Sequence, residues 1–160
     1  MTDRCEIVED FWEQLDKSPN IMIGIPGRDA HSEPMHVFFD KEITNCLFIY
    51  TSRGNRLLEG MATDPVAMAQ FVGKGHDFFA CLRGRLGEVT DNGLIDRFWS
   101  NAVEAWFDKG RHDPDLVMLR FDIESAEFWE ADMGIKGMFK MLTGQTIERE
   151  EAGAHAEMAM

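Results

Sequence analysis

An α+β fold, mainly antiparallel, with six or seven strands closing into a small barrel flanked by helices, is what this sequence predicts. Three observations carry the expectation. Short apolar stretches separated by turn residues recur along the chain, and some alternate as half-buried strands do, as at Ile21, Ile23 and Ile25. The long stretch from Phe78 to Val89 holds Gly84 and Gly87, which invite the bend or bulge a barrel needs. Helical segments are few and do not alternate regularly with the strands, which argues against a doubly wound parallel sheet.

The chain opens on a helix. Asp3 and Glu6 form a capping box, and Ile7, Val8, Phe11, Trp12 and Leu15 recur at helical spacing up to Ser18-Pro19. Ile21 to Ile25 is the first strand, closed by the Pro26-Gly27 turn. After Pro34, Met35 to Phe39 is the second strand and Cys46 to Tyr50 the third, and both read as antiparallel hairpin partners. A polar turn leads into a short helix, Asn55 to Thr63. Asp64-Pro65 ends it, since the residue before a proline is driven out of the helical region. Val66 to Val72 and Phe78 to Val89 are the fourth and fifth strands, joined through Gly73-Lys74-Gly75.

Thr90 or Asp91 then caps a helical segment in which Ile95, Phe98, Trp99, Val103 and Trp106 share one face, most of them expected in the core. Leu116 to Phe121 begins the sixth strand, which continues past a kink at Glu124-Ser125 through Phe128 and Trp129. Ile135, Met138, Phe139 and Leu142 have helical spacing between Gly134 and Gly144. Residues 1–145 read as one domain. Residues 146–160 read as an acidic, alanine-rich tail with no apolar face, expected to fray or remain flexible.

A length of 160 residues supports a single domain with a proper core. With 29 acidic against 16 basic residues, the net charge of −13 argues against nucleic acid or an anionic membrane as partner. Against that background the segment from Ile43 to Leu58 holds Arg53 and Arg56 and no acid, a local cationic site. Cys5, Cys46 and Cys81 are odd in number and far apart. They indicate neither a disulfide framework nor a zinc site, and they suit a reducing cytoplasm. The N-terminus lacks an apolar signal core, and no apolar run approaches the roughly 20 residues of a membrane span, so a cytosolic protein is expected. Twelve Phe, four Trp and eleven Met exceed the needs of a small core and suggest a dimer interface or a pocket for a flat ligand.

The chain has no Gly-x-Ser-x-Gly elbow, no phosphate-binding Walker loop and no dinucleotide glycine fingerprint. Its five histidines lack the paired spacing of zinc hydrolases. His36 stands apart because its strand position aims it at one face of the barrel wall, although a structural role is the simpler account. Asp113 and Asp115 are explained by turn capping before they are explained by acid–base work. Trp99, Trp106 and Trp129 are either core or stacking platforms, and Tyr50, the only tyrosine, packs either a ligand ring or the barrel end. The turn Thr51-Ser52-Arg53-Gly54-Asn55-Arg56 gathers hydroxyls, an amide and two cations at the start of a helix. That composition suits a phosphate, and it equally suits a capped, solvated turn.

The order of these pieces resembles the pyridoxamine 5'-phosphate oxidase-like split barrels. The resemblance rests on Pro34-Met35-x-Val37-Phe38-Phe39, Phe48-Ile49-Tyr50-Thr51-Ser52 and Asp64-Pro65-Val66. The segment from Ala105 to Leu119, with Glu127-Phe128-Trp129-Glu130 after it, is similar to the general-stress-protein branch. The resemblance covers roughly Glu6 to Gly144. It implies a homodimer of split barrels with FMN at the interface, the flavin phosphate on the Thr51–Arg56 turn and the ring between subunits. Thr51 and Ser52 are then strand-end contacts, Arg53 and Gly54 fill variable turn positions, and Met35, His36 and Tyr50 lie nearby. Trp106 and Trp129 are candidates for lining the ring.

Departures accompany the resemblance. Glu33 stands where the family has arginine, Asn55 where it has a phosphate-binding serine, and Leu57 where it has a phosphate-binding lysine. Arg53 and Arg56 are the residues available to compensate. Two functions are implied: an FMN-dependent redox protein whose flavin supplies the chemistry, or a flavin-free or ligand-altered dimeric stress-associated binding protein that keeps the fold.

Overall fold

The computed structural model describes residues 4–131 and 154–160. Helix α1 (Arg4–Lys17) buries Ile7, Phe11 and Leu15 along one face. Strand β1 (Asn20–Gly24) pairs antiparallel with β2 (Glu33–His36), and β3 (Phe38–Asp40) pairs with β4 (Ile43–Ser52). The strand expected as one piece from Met35 to Phe39 is therefore two, divided at Val37. Helix α2 (Arg56–Thr63), β5 (Val66–Val72) and β6 (Phe78–Val89) follow at the expected places. Short helices α3 (Asn92–Arg97) and α4 (Asn101–Glu104) precede β7 (Leu116–Glu130) and β8 (Ala154–Ala159).

The strands run β2-β1-β5-β6-β7-β4-β3, every neighbouring pair is antiparallel, and β8 lies beside the second half of β7. β2 and β3 stand at opposite ends of this order, yet only Val37 separates them along the chain. The sheet therefore curls until its ends meet at that residue, which is buried and whose N–H donates to the Pro19 carbonyl at 2.8 Å. The result is the expected α+β antiparallel split barrel, with seven strands in the curl and β8 added to it.

Inward-pointing residues of alternate positions fill the barrel: Ile21 and Ile23 from β1, Leu47 and Ile49 from β4, Phe71 from β5, Leu82 from β6 and Phe121 and Phe128 from β7. α1 caps this interior, with the Phe11 ring 5.8 Å from Phe71 and 5.3 Å from Phe128. Full burial of such a ring contributes about 2–3 kcal/mol. Cys46 and Phe48 point outward from β4 and are covered by Ile95 of α3 together with Met118 and Phe98. Burial on both faces explains why Cys46 to Ile49 reads as an unbroken apolar run. Among the described residues, no helix is long and apolar enough to cross a membrane.

The expected bend at Gly84 and the expected kink at Glu124-Ser125 are one feature. Arg83 lies opposite Ser125 and Gly84 opposite Ile123, so Glu124 is an extra residue in β7, a bulge. A Cβ on Gly84 would sit 2.0 Å from the Asp122 carbonyl oxygen, so the two backbones approach this closely only at glycine. Gly87 plays no such part: it lies in regular register opposite Arg120 with open space beside it.

The single helical face expected from Ile95 to Trp106 is broken. α3 ends at Arg97, and Ser100 caps α4, its Oγ accepting from the Val103 N–H at 3.4 Å. Ile95 and Val103 are buried as expected, whereas Trp106, outside both helices, is 86% exposed. The tail also differs from expectation. Ala154–Ala159 forms β8 against Ser125–Glu130, and Ala156, Met158 and Met160 pack on the core, so this stretch has an apolar face of strand period. The helix expected around Ile135 to Leu142 and the domain boundary at residues 145–146 lie outside the described residues.

Two glycine variants separate these roles. Gly84→Ala is expected to destabilise the fold by about 3 kcal/mol through overpacking against backbone, and Gly87→Ala to change stability by no more than about 0.5 kcal/mol. Urea unfolding of the pair measures both, and equal midpoints would remove the bulge's claim on glycine.

Candidate functional site

The register of β4 against β7 delivers three consecutive residues to one place: Tyr50, Thr51 and Ser52 lie opposite Met118, Val117 and Leu116. The Tyr50 hydroxyl donates to the Ile95 carbonyl at 2.5 Å, which ties the end of β4 to α3. Its ring meets Phe38 edge-on at 5.3 Å and Trp99 at 5.7 Å. Burial pushes the Tyr50 phenol from about 10 up to about 12. On β2, the His36 Nδ1 is hydrogen-bonded to the Asn20 Oδ1 at 3.3 Å, and its ring lies 5.0 Å from Phe38. Partial burial lowers the His36 pKa below its ordinary value, disfavouring the charged ring.

A cavity of about 730 Å³ opens between the Val37 seam and the segment from Ser100 to Phe107. Met35, Phe38, Val103, Trp106 and Phe107 give it apolar and aromatic walls, while Thr51, Ser52, Ser100 and His36 supply polar groups. The fold thus brings Met35, His36, Tyr50, Thr51, Ser52 and Trp106 to one cavity. Of the residues lining it, Asn20, Phe38, Ser100, Ala102, Val103 and Phe107 were not singled out as ligand contacts in the sequence. The α3–α4 break, the pairing of β1 with β2 and the crossing of the chain from β2 to β3 at Val37 place them here.

Arg53, Asn55, Arg56 and Trp129 do not line the cavity. Arg53 Nη1 contacts both oxygens of Glu88, at 2.9 and 3.0 Å. Its backbone N–H donates to the Asp115 carbonyl at 2.8 Å and the Asp115 Oδ1 at 3.1 Å. Arg56 reaches Glu33 at 3.5 Å and donates to the His31 carbonyl at 3.1 Å. Asn55 is the N-cap of α2, its Oδ1 accepting from the Leu57 N–H at 2.8 Å, and the Leu57 side chain is buried in the core. Trp129 stands on β7, stacked on His155 of β8 at 5.3 Å. Among the described residues, no group of three or more His, Cys, Asp or Glu side chains is placed to hold a metal ion.

A curled antiparallel sheet with helices on its flanks and a cavity at its seam defines a split barrel. The chain belongs to the pyridoxamine 5'-phosphate oxidase-like family, whose sequence model matches residues 6–151. It is similar to a general stress protein 26 from Jannaschia sp. CCS1, with 29% identity over 99% of this chain and 100% of that one and a TM-score of 0.79. It is also similar to the general stress FMN/FAD binding protein from Xanthomonas citri, with 32% identity over 82% of this chain and 93% of that one and a TM-score of 0.75. A pyridoxamine 5'-phosphate oxidase-related, FMN binding protein from Nostoc punctiforme shares the fold at 11% identity, covering 95% of each chain with a TM-score of 0.62. No curated protein matches the chain.

Because Tyr50 is the only tyrosine, alkaline titration of phenolate absorbance reports it alone. Little phenolate is expected below pH 11 in the folded protein. The folded pKa of about 12 lies above the ordinary value of 10, so the associated stability is fully present below pH 10 and is lost as pH rises toward 12. A midpoint near 10 in folded protein would contradict the burial of this side chain.

Proposed function

We propose that the protein is a flavin-binding redox protein of the general-stress type, with FMN or a related flavin as cofactor and two copies of the chain as the working assembly. The observation that carries this reading is the seam cavity, about 730 Å³, within the ~300–1,000 Å³ usual for small-molecule sites. Its walls of Met35, Phe38, Val103, Trp106 and Phe107 suit a flat conjugated ring, and the Thr51 and Ser52 hydroxyls suit the polar chain leaving it. A bound flavin supplies oxidoreductase chemistry itself. The residues of this chain bind the ring, orient it and keep water from it. The flavin-binding Xanthomonas relative supports this ligand class. Trp106, a large ring 86% exposed at the cavity's rim, supports a second copy as its cover. Free Cys5, Cys46 and Cys81 support a reducing, cytoplasmic setting.

The residues present fit the ring of FMN and do not fit its phosphate. Both arginines of the turn are engaged by carboxylates. A phosphate that drew them away would leave Glu88 and Glu33 close to a group of nearly two negative charges. Near a protein surface, each unit pair ~6 Å apart interacts by roughly 3 kcal/mol. These ion pairs favour a second reading, a dimeric stress-associated binding protein that keeps the fold and takes an altered ligand or no flavin.

Lumiflavin, which carries the ring without a polar tail, tests the cavity directly. Saturable quenching of its fluorescence is expected, with the dissociation constant raised about five- to tenfold by Trp106→Ala through lost ring contact. An absence of saturable quenching up to the solubility limit would sink the flavin reading. Light scattering is expected to give twice the chain mass at micromolar concentration, and a monomer there would count against the shared assembly.

A further inference from the structure

Thr51 and Ser52 form a polar border of the seam cavity and lead directly into the Arg53–Arg56 turn. A ring ligand with a polar tail therefore has this turn as its exit. The turn is not an anion site as it stands. Arg53 is held by Glu88 at 2.9 Å and Arg56 by Glu33 at 3.5 Å, while the Asp115 carboxylate accepts from the Arg53 N–H at 3.1 Å. Two guanidiniums thus face three carboxylates. Arg28, which shares a crevice with Arg56, is itself paired with Glu59 at 3.4 Å.

One atom here lacks a partner. Glu33 Oε1 is buried and accepts no hydrogen bond among the described residues. Glu33 stands two residues before Met35 on β2 without lining the cavity, so what it presents toward a ligand's tail is negative charge. The phosphate dianion of FMN adds nearly two negative charges beside these carboxylates, whereas a flavin ending in a hydroxyl adds none.

Resting on the flavin reading above, we propose that this site selects the dephosphorylated flavin: a ring with a hydroxyl-ended polyol chain, of which riboflavin is the type, in preference to its phosphorylated form. The ring is held by the cavity walls. The tail reaches a turn whose carboxylates repel a phosphate dianion and leave a neutral hydroxyl end unopposed.

The test titrates the full-length protein with riboflavin and with FMN, following flavin fluorescence and calorimetry at low and moderate salt. Riboflavin is expected to bind at least about tenfold more tightly. FMN binding should hold or strengthen as salt rises, since screening relieves repulsion, whereas an arginine-based phosphate site weakens with salt. Glu88→Gln frees Arg53 and should lower the ratio of FMN to riboflavin dissociation constants by about tenfold, as a charge-assisted hydrogen bond becomes available to phosphate. FMN binding equal to or tighter than riboflavin would overturn the inference and leave the flavin reading standing. Saturable binding of neither ligand would overturn both.

Discussion

Val37 is one residue of chain between two strands that occupy opposite ends of the same sheet. β2 must pair with β1 and β3 with β4, so the sheet closes on itself or the chain cannot connect them. Burial of the Val37 side chain and its N–H bond to Pro19 hold the join. The same geometry builds the site. Met35 and His36 arrive at the cavity from one side of the seam, Phe38 arrives from the other, and β4 brings Tyr50 to Ser52 beneath them. The fourth wall, from Ser100 to Phe107, follows the helix that Tyr50 ties down through its bond to the Ile95 carbonyl. Closing the barrel and assembling the cavity are thus one event.

The charges around the turn after β4 answer to a different constraint. Arg53, Glu88, Arg56 and Glu33 have side chains between 20% and 52% exposed, and ion pairs in such positions contribute about 0–1 kcal/mol each. They do not hold the barrel together. Their consequence is the sign of the field beside the Thr51–Ser52 border of the cavity. A chain with a net charge of −13 gains nothing from distant residues to offset that local balance, since screening removes their influence beyond ~10 Å.

Local physics was legible in the sequence wherever it decided the outcome. Helical spacing and Asn55 capping located α1 and α2, strand alternation and turn chemistry located β1, β5 and β6, and Gly84 announced the bulge. The break at Val37 was not legible, because valine favours a strand and only the curl of the whole sheet divides one there. Nor was β8, whose alternation of His155, Ala156, Glu157 and Met158 carries little apolar signal until β7 is beside it. The cavity residues read from the sequence all lie on strands or in the segment after α4, whereas Phe38, Val103 and Phe107 needed the topology. The absence of acids from Ile43 to Leu58 was the misleading cue. Coulomb's law acts through space, and Glu33, Glu88 and Asp115 reach the turn from β2, from β6 and from the residues just before β7.

The departures at Glu33, Asn55 and Leu57 are mutually consistent. Leu57 is buried to 1% exposure in the barrel core, a place where an ammonium would need a partner to offset its desolvation. Asn55 accepts from the Leu57 N–H, so that backbone donor at the start of α2, which would otherwise favour an anion, is already satisfied. Glu33 engages Arg56 through one oxygen. Together these residues engage the Leu57 N–H and the Arg56 guanidinium within the protein itself. The second oxygen of Glu33 is buried without a hydrogen-bond partner among the described residues. A largely apolar cavity therefore adjoins a turn whose arginines are already held by carboxylates.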